Sequence, residues 1–196
     1  MSEIRSIFPP HEAFYIRSML FNAQAASRSI EVGNALMHEI SANNPENPTS
    51  SLLVYRFLGE LQNFVVHAAA LSRYFWPVRV AHKWRGEQLR RSFALTEQSP
   101  LRFSKELRDT IEHFDERLDG FLEGNIVGEV LPEYVGPFYE TDVEVHRLRA
   151  YFLDKGDFEF LGNRCNILAL SREVQRLYLA LLRLDETGGR LSQPDA

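Results

Sequence analysis

The sequence predicts a mostly α-helical chain: a bundle of long helices with a small antiparallel β elaboration before the C-terminal helix. Apolar residues recur every three or four positions through the first two thirds of the 196 residues, the spacing that one face of a helix requires. Two-residue alternation appears only between Val143 and Leu170, where turn-forming residues also gather. Folding a chain of this length buries roughly 70% of its unfolded surface, so a single core over residues 1–196 needs no disulfide or metal staple.

In the first helix, from His11 to Ile40, the stripe is Met19, Ala23, Ala26, Ile30, Gly33, Met37 and Ile40. Asn43, Asn44, Pro45, Asn47 and Pro48 are loop chemistry. A second long helix carries Val54, Leu58, Leu61, Val65, Ala68 and Leu71, and Pro77 ends it because proline has no N–H to donate. A third, shorter helix is expected over Lys83–Leu95. Ser99 before Pro100 reads as an N-cap with proline at the first helical position. It would open a fourth helix, with Leu107, Ile111, Phe114, Leu118 and Phe121 inward, stopping at Gly124 and Asn125. This bundle spans 11–123. Gly128, Pro132, Gly136 and Pro137 make 126–142 an irregular loop. Over 143–170, Leu148, Ala150 and Phe152 alternate, Asp154-Lys155-Gly156-Asp157 is a turn, and Gly162-Asn163 is a second one. Two or three antiparallel strands are expected there. A last helix covers 171–184, with Val174, Leu177, Tyr178, Leu181 and Leu182 inward.

The net charge of −5 weighs against an obligate polyanion binder but permits a local basic patch. Cys165 is the single cysteine, so no intramolecular disulfide forms, as suits a reducing cytoplasm. The N-terminus lacks a signal-peptide core, and the longest apolar stretch, near Phe64–Leu71, is far short of a membrane span. A soluble cytoplasmic protein with no membrane partner is expected. Phosphate-loop, His-Glu-x-x-His, Glu-x-x-His and Gly-x-Ser-x-Gly motifs are absent from the sequence. No cofactor or metal is expected.

One constellation carries chemistry: Arg108-Asp109-Thr110-Ile111-Glu112-His113 on the fourth helix. An arginine, a polar residue and a histidine a few positions on, late in a helical bundle, resemble the HEPN superfamily over roughly residues 11–123. The resemblance implies a compact bundle that works as a homodimer. It also implies a metal-independent endoribonuclease, acting as a toxin or as a defence or stress effector, with RNA as substrate and an antitoxin or regulatory protein as a partner. One toxin branch of that family carries a modifiable tyrosine two residues after the histidine; here the position holds Asp115.

Metal-free RNA cleavage needs a base for the 2′-hydroxyl proton and an acid for the leaving oxygen, and His113 suits either role near neutral pH. Arg108 would stabilise the charge of the transition state. Asp109, four residues before His113, shares its helix face and would orient the imidazole. Five residues turn an ideal helix by about 140°, so Arg108 and His113 flank the apolar stripe on opposite sides, and a second protomer brings them together most simply. The other reading pairs Arg108 with Glu112 and Asp109 with His113 as ordinary helix-surface contacts. Over Leu101–Glu123 four basic residues meet seven acidic ones, a poor surface for phosphates. The chain would then be a non-catalytic dimeric interaction module, or a sensor of a small anionic ligand.

The run from Arg73 to Arg91 has the opposite character. Arg73, Arg79, Lys83, Arg85, Arg90 and Arg91 meet Glu87 alone, with Tyr74, Phe75, Trp76 and Trp84 interleaved. Cations beside aromatic faces suit single-stranded RNA, which makes Arg79, Lys83, Arg85, Arg90 and Arg91 candidate RNA contacts. A solvated charged face and aromatic core residues are the competing reading. His67 is expected to be a satisfied, partly buried histidine. Cys165 is expected to be inert, and Arg172, Arg176 and Arg183 to form the solvent face of the last helix.

Overall fold

A computed structural model describes residues 6–42, 48–103, 105–124 and 127–191. It is mostly helical, with a small mixed sheet before the last helix. Helix α1 (Pro9–Ala42) and helix α2 (Pro48–Phe75) form a hairpin. Ser18 meets Tyr74 and Asn22 meets His67, so the two helices run antiparallel. Asn43, Asn44, Pro45 and Asn47 of the expected loop lie outside the described residues, as does Asn125. The last helix, α6 (Ile167–Thr187), lies antiparallel along α1. Ser27 bonds Gln175, Arg17 pairs with Asp185 at 2.6 Å, and Glu12 meets Arg190 at 2.7 Å. Between the three helices lie Met19, Ala23, Ala26, Leu58, Leu61, Leu177 and Leu181, all buried. The stripes read from sequence are the faces that the hairpin encloses.

Helix α3 (Lys83–Ser92) follows a single 3₁₀ turn at Val80–His82. It stops three residues before the expected Leu95. Ala94 takes φ +50°, its N–H reaches Arg91 O, and Leu95 N–H reaches Arg90 O. That is a Schellman ending with alanine in the left-handed position usually held by glycine.

The expected helix over 99–123 is corrected in two ways. Residues Ser99–Phe103 are turns, because Leu101 and Phe103 are both buried and a helix would point residues two apart to different sides. The Ser99 hydroxyl accepts Leu101 N–H rather than capping a helix. Helix α4 spans Lys105–Glu112, and helix α5 spans Phe114–Glu123. Between them His113 adopts φ −122°, ψ 48° and breaks the run. The bend lets α5 lean on the sheet, where Phe114 stacks on Phe160 and Phe121 meets His146 edge-on.

The β part also departs from expectation. Two strands, β1 (Glu129–Val130) and β2 (Glu133–Gly136), lie inside the segment expected to be irregular. β1 pairs in parallel with β3 (Val145–His146), and β2 in parallel with β4 (Arg149–Phe152). Both pairings share one register, so 129–136 and 145–152 form a single parallel ribbon, interrupted at Pro132 because proline cannot donate to the ladder. β5 (Asp157–Phe160) and β6 (Asn163–Asn166) add the expected antiparallel strands, giving the order β2-β4-β5-β6. The first turn forms around Gly156, at φ +68°. The second is Leu161-Gly162, one residue earlier than expected, with φ positive at both positions as a tight two-residue hairpin requires.

Tyr151, Phe158 and Phe160 face the helices, Tyr151 edge-on to Phe57. On the other face Glu159 is buried beside Ala150 and Phe152. Its charge is matched by Arg164 at 2.6 Å and by Arg147 at 3.9 Å. The Arg147 guanidinium lies over the rings of Tyr134, Tyr139 and Phe152, so the buried pair keeps close partners on several sides. Helix α6 starts at Ile167, before the expected Ser171, because Asn166 caps it by accepting Ala169 N–H at 2.8 Å.

Candidate nucleic-acid interface

The basic run sits where α2 ends and α3 folds back. Pro77 stops α2, and its last carbonyls lose their helical partners. Two arginines of α3 supply replacements: Arg85 donates to Arg73 O at 3.2 Å, and Arg90 donates to Phe75 O. Cations there also suit the negative end of the helix dipole. Gly86 makes the approach possible, since a Cβ on it would lie 2.6 Å from Phe75 O and 2.5 Å from the Pro77 ring.

Two cavities flank the ridge Arg73–Pro77–Val78, whose crest is Val78 at 80% exposure. The first, about 970 Å³, is a groove between this corner and α4. Arg73, Lys83, Arg90 and Arg102 line it, but so do Glu87, Glu97, Asp109 and Glu112. Most of these charges are spent on one another. Arg73 pairs with Glu112, Arg102 with Glu97 at 2.9 Å and Arg90 with Glu97 at 3.6 Å. Trp76 donates its indole N–H to Glu97 and carries the Arg90 guanidinium over its ring. Lys83 has no acidic partner among the described residues.

The second cavity, about 410 Å³, lies on the other side of the ridge. Arg73, Arg79, His82 and Arg85 line it with Asn22 and Tyr74, and among the described residues no carboxylate does. Arg85 stacks against Tyr15 and Tyr74, and its Nε is buried without a hydrogen-bond partner.

The five expected RNA contacts are therefore divided. Arg79 and Arg85 line the carboxylate-free cavity, and Lys83 lines the groove. Arg91 is exposed and lines neither cavity. Arg90 is part-buried and committed to Phe75 O, Glu97 and Trp76, so its expected availability is corrected. His82, Asn22 and Arg102 were not singled out by the sequence. Only the position of His82 within the basic run signalled any of them.

Of the motif residues, Asp109 and His113 do not meet as expected. The Arg108 side chain lies outside the described residues. His113 sits at the break between α4 and α5 with its side chain 57% exposed, and its nearest acidic partner is Glu116, at 4.0 Å. Asp109, the expected orienter of His113, instead pairs with Arg117 at 3.6 Å. The contact between 109 and 113 is made by the backbone, His113 N–H to Asp109 O at 2.9 Å. Because the chain leaves helical geometry at His113, the i,i+4 alignment that joins two side chains is lost there. Asp109 and Glu112 nonetheless line the groove opposite Arg73 and Lys83, so the two features singled out in the sequence face each other.

His67 is part-buried beside Asn22, with Phe21 edge-on to its ring. Arg176 does more than cover a solvent face: it donates to Phe93 O at 2.8 Å, tying α6 to the end of α3. Burial first, then the charge of Asp157, pushes the Cys165 thiol up to about 12. Among the described residues, no helix is long and apolar enough to cross a membrane. No protein-family model matches the chain, and no curated protein or solved structure shows significant similarity to it.

Proposed function

We propose that this chain binds single-stranded RNA across the ridge at the end of α2. The observation that carries the reading is the set of cations without acidic partners among the described residues: Arg79, Lys83 and Arg85 surround the ridge, while neighbouring Arg73 and Arg90 are neutralised. Part-exposed rings of Tyr74 and Trp76 line the cavities on either side. Phosphates would meet the free cations, and bases would contact the rings. Fluorescence anisotropy of a labelled RNA over a salt series tests this. In the Arg79→Gln/Lys83→Gln double variant the slope of log K against log salt should fall by about 1.4, that is, about 0.7 for each lost phosphate contact. Binding that ignores salt or both substitutions refutes the reading.

A second reading, the metal-independent endoribonuclease, is favoured by Asp109 and Glu112, which put the motif helix on the same groove as Lys83. With Asp109 engaged by Arg117, a second protomer would have to complete the centre around His113. Cleavage of labelled RNA in chelator, lost in both His113→Ala and Arg108→Ala while folding is retained, supports it. Equal cleavage by all three proteins, or by none, removes it.

A further inference from the structure

The carboxylate-free cavity differs in kind from the groove beside it. In the groove, Arg73, Arg90 and Arg102 all meet carboxylates. In the cavity, Arg79, His82 and Arg85 have no acidic partner among the described residues, and Arg73, bound to Glu112, lies on the shared ridge. The other polar groups there are already engaged: Asn22 with Ser18 O and His67, and the Tyr74 hydroxyl with Ser18. What the cavity offers a ligand is therefore positive charge and N–H donors. Its volume, about 410 Å³, is in the range of small-ligand sites.

We propose that this cavity holds a phosphate monoester, supplied by the end of the RNA strand that crosses the ridge. This rests on the RNA-binding reading. A monoester carries close to two negative charges and three acceptor oxygens, whereas an internal phosphodiester carries one charge and two free oxygens. Two guanidinium groups and an imidazole without carboxylate partners among the described residues match the monoester better: Arg79 can offer its planar fork to a pair of phosphate oxygens, and Arg85, one of whose terminal nitrogens is held by Arg73 O, adds positive charge. The Pro77–Val78 ridge separates the cavity from the groove. A strand lying over the ridge would thus have its body on one side and its terminal group on the other.

The test compares a short single-stranded RNA carrying a 5′-phosphate, a 3′-phosphate or hydroxyls at both ends, by anisotropy. Adenosine monophosphate and inorganic phosphate are titrated separately by calorimetry. A phosphate at one end should tighten binding about tenfold. The Arg79→Gln/His82→Gln variant should erase that preference, whereas Lys83→Gln should weaken all three RNAs alike and preserve it. Both substituted positions of the double variant are exposed, so its melting temperature should match that of the parent chain. Equal binding of all three RNAs overturns the monoester site and leaves the RNA reading standing. Saturable binding of adenosine monophosphate, lost in the double variant, without any RNA binding supports the monoester chemistry and overturns the RNA source. Binding of neither RNA nor small phosphates overturns both.

Discussion

Glu12 offers a sharp test of what closes the bundle. It is 2% exposed on the first turn of α1, yet it accepts three hydrogen bonds from the end of the chain. These come from Arg190 Nε at 2.7 Å, a second Arg190 nitrogen at 3.2 Å and Leu191 N–H at 3.1 Å. Burial pushes the carboxyl up, but Arg190 and the Leu191 N–H more than reverse this, leaving it below its ordinary value of 4.5. In Glu12→Ala the buried Leu191 N–H loses its acceptor, which costs about 1–3 kcal/mol. Arg190 is half exposed, so water replaces most of what it loses. For a chain of this size the cost corresponds to a fall in melting temperature of roughly 2–10 °C. The pH dependence has a definite sign. A carboxyl lowered by folding stabilises fully above its unfolded value, and that contribution disappears as pH falls through the folded value. Glu12→Gln keeps an acceptor oxygen but not the charge. Its deficit relative to the parent chain should therefore be present at pH 7 and shrink as pH falls below the ordinary glutamate value of 4.5. Calorimetric melts from pH 3 to 7 measure this, and a deficit that is absent at pH 7, or constant over the range, refutes the clasp.

Gly86→Ala should destabilise by about 1–3 kcal/mol, because the new methyl meets the Phe75 carbonyl and the Pro77 ring. It should also weaken RNA binding by displacing Arg85; denaturant melts and anisotropy check the two effects. Ala94→Gly should stabilise by about 0.5–1 kcal/mol, since glycine takes the positive φ without the left-handed cost to alanine. A lower midpoint in urea would count against the Schellman ending. Cys165, with its thiol pushed up to about 12, should react with a disulfide reagent more slowly in the folded chain than in urea. Labelling at the free-thiol rate would show that the packing over it opens.

The helices were legible because their signal is local. The stripes of α1, α2 and α6 lie on neighbouring turns and need no knowledge of the partner. Where a partner decides, the sequence misled. Ser99-Pro100 has the chemistry of a helix start, but Leu101 and Phe103 must both reach the core, so the chain delays its helix until Lys105. The parallel ribbon was hidden for a related reason. Glu133-Tyr134-Val135-Gly136 sits between two prolines, and the residues it pairs with begin at Arg149, with no hairpin turn to announce them. The antiparallel hairpin at Gly156 announced itself, because its turn residues separate the two strands directly.

At the candidate site the same division has a functional consequence. The surplus of basic residues between Arg73 and Arg91 is a property of the sequence, but which of them are paired is set by acids that lie beyond the run. Glu97 engages Arg90, and Glu112 engages Arg73, leaving Arg79, Lys83, Arg85 and the more distant Arg91 without an acidic partner among the described residues. The motif helix shows the converse. Asp109 and His113 have the spacing of a pair, yet the bend at His113 gives Asp109 to Arg117. Substituting Arg117 therefore separates the two readings of the motif. Arg117→Gln frees the Asp109 carboxylate without touching the ridge. If Asp109 serves a catalytic His113, RNA cleavage in chelator should change, with a shifted pH profile. If the motif is only a helix-surface network, RNA affinity and cleavage should both stay as they were, while stability falls by less than about 1 kcal/mol, as for an exposed ion pair.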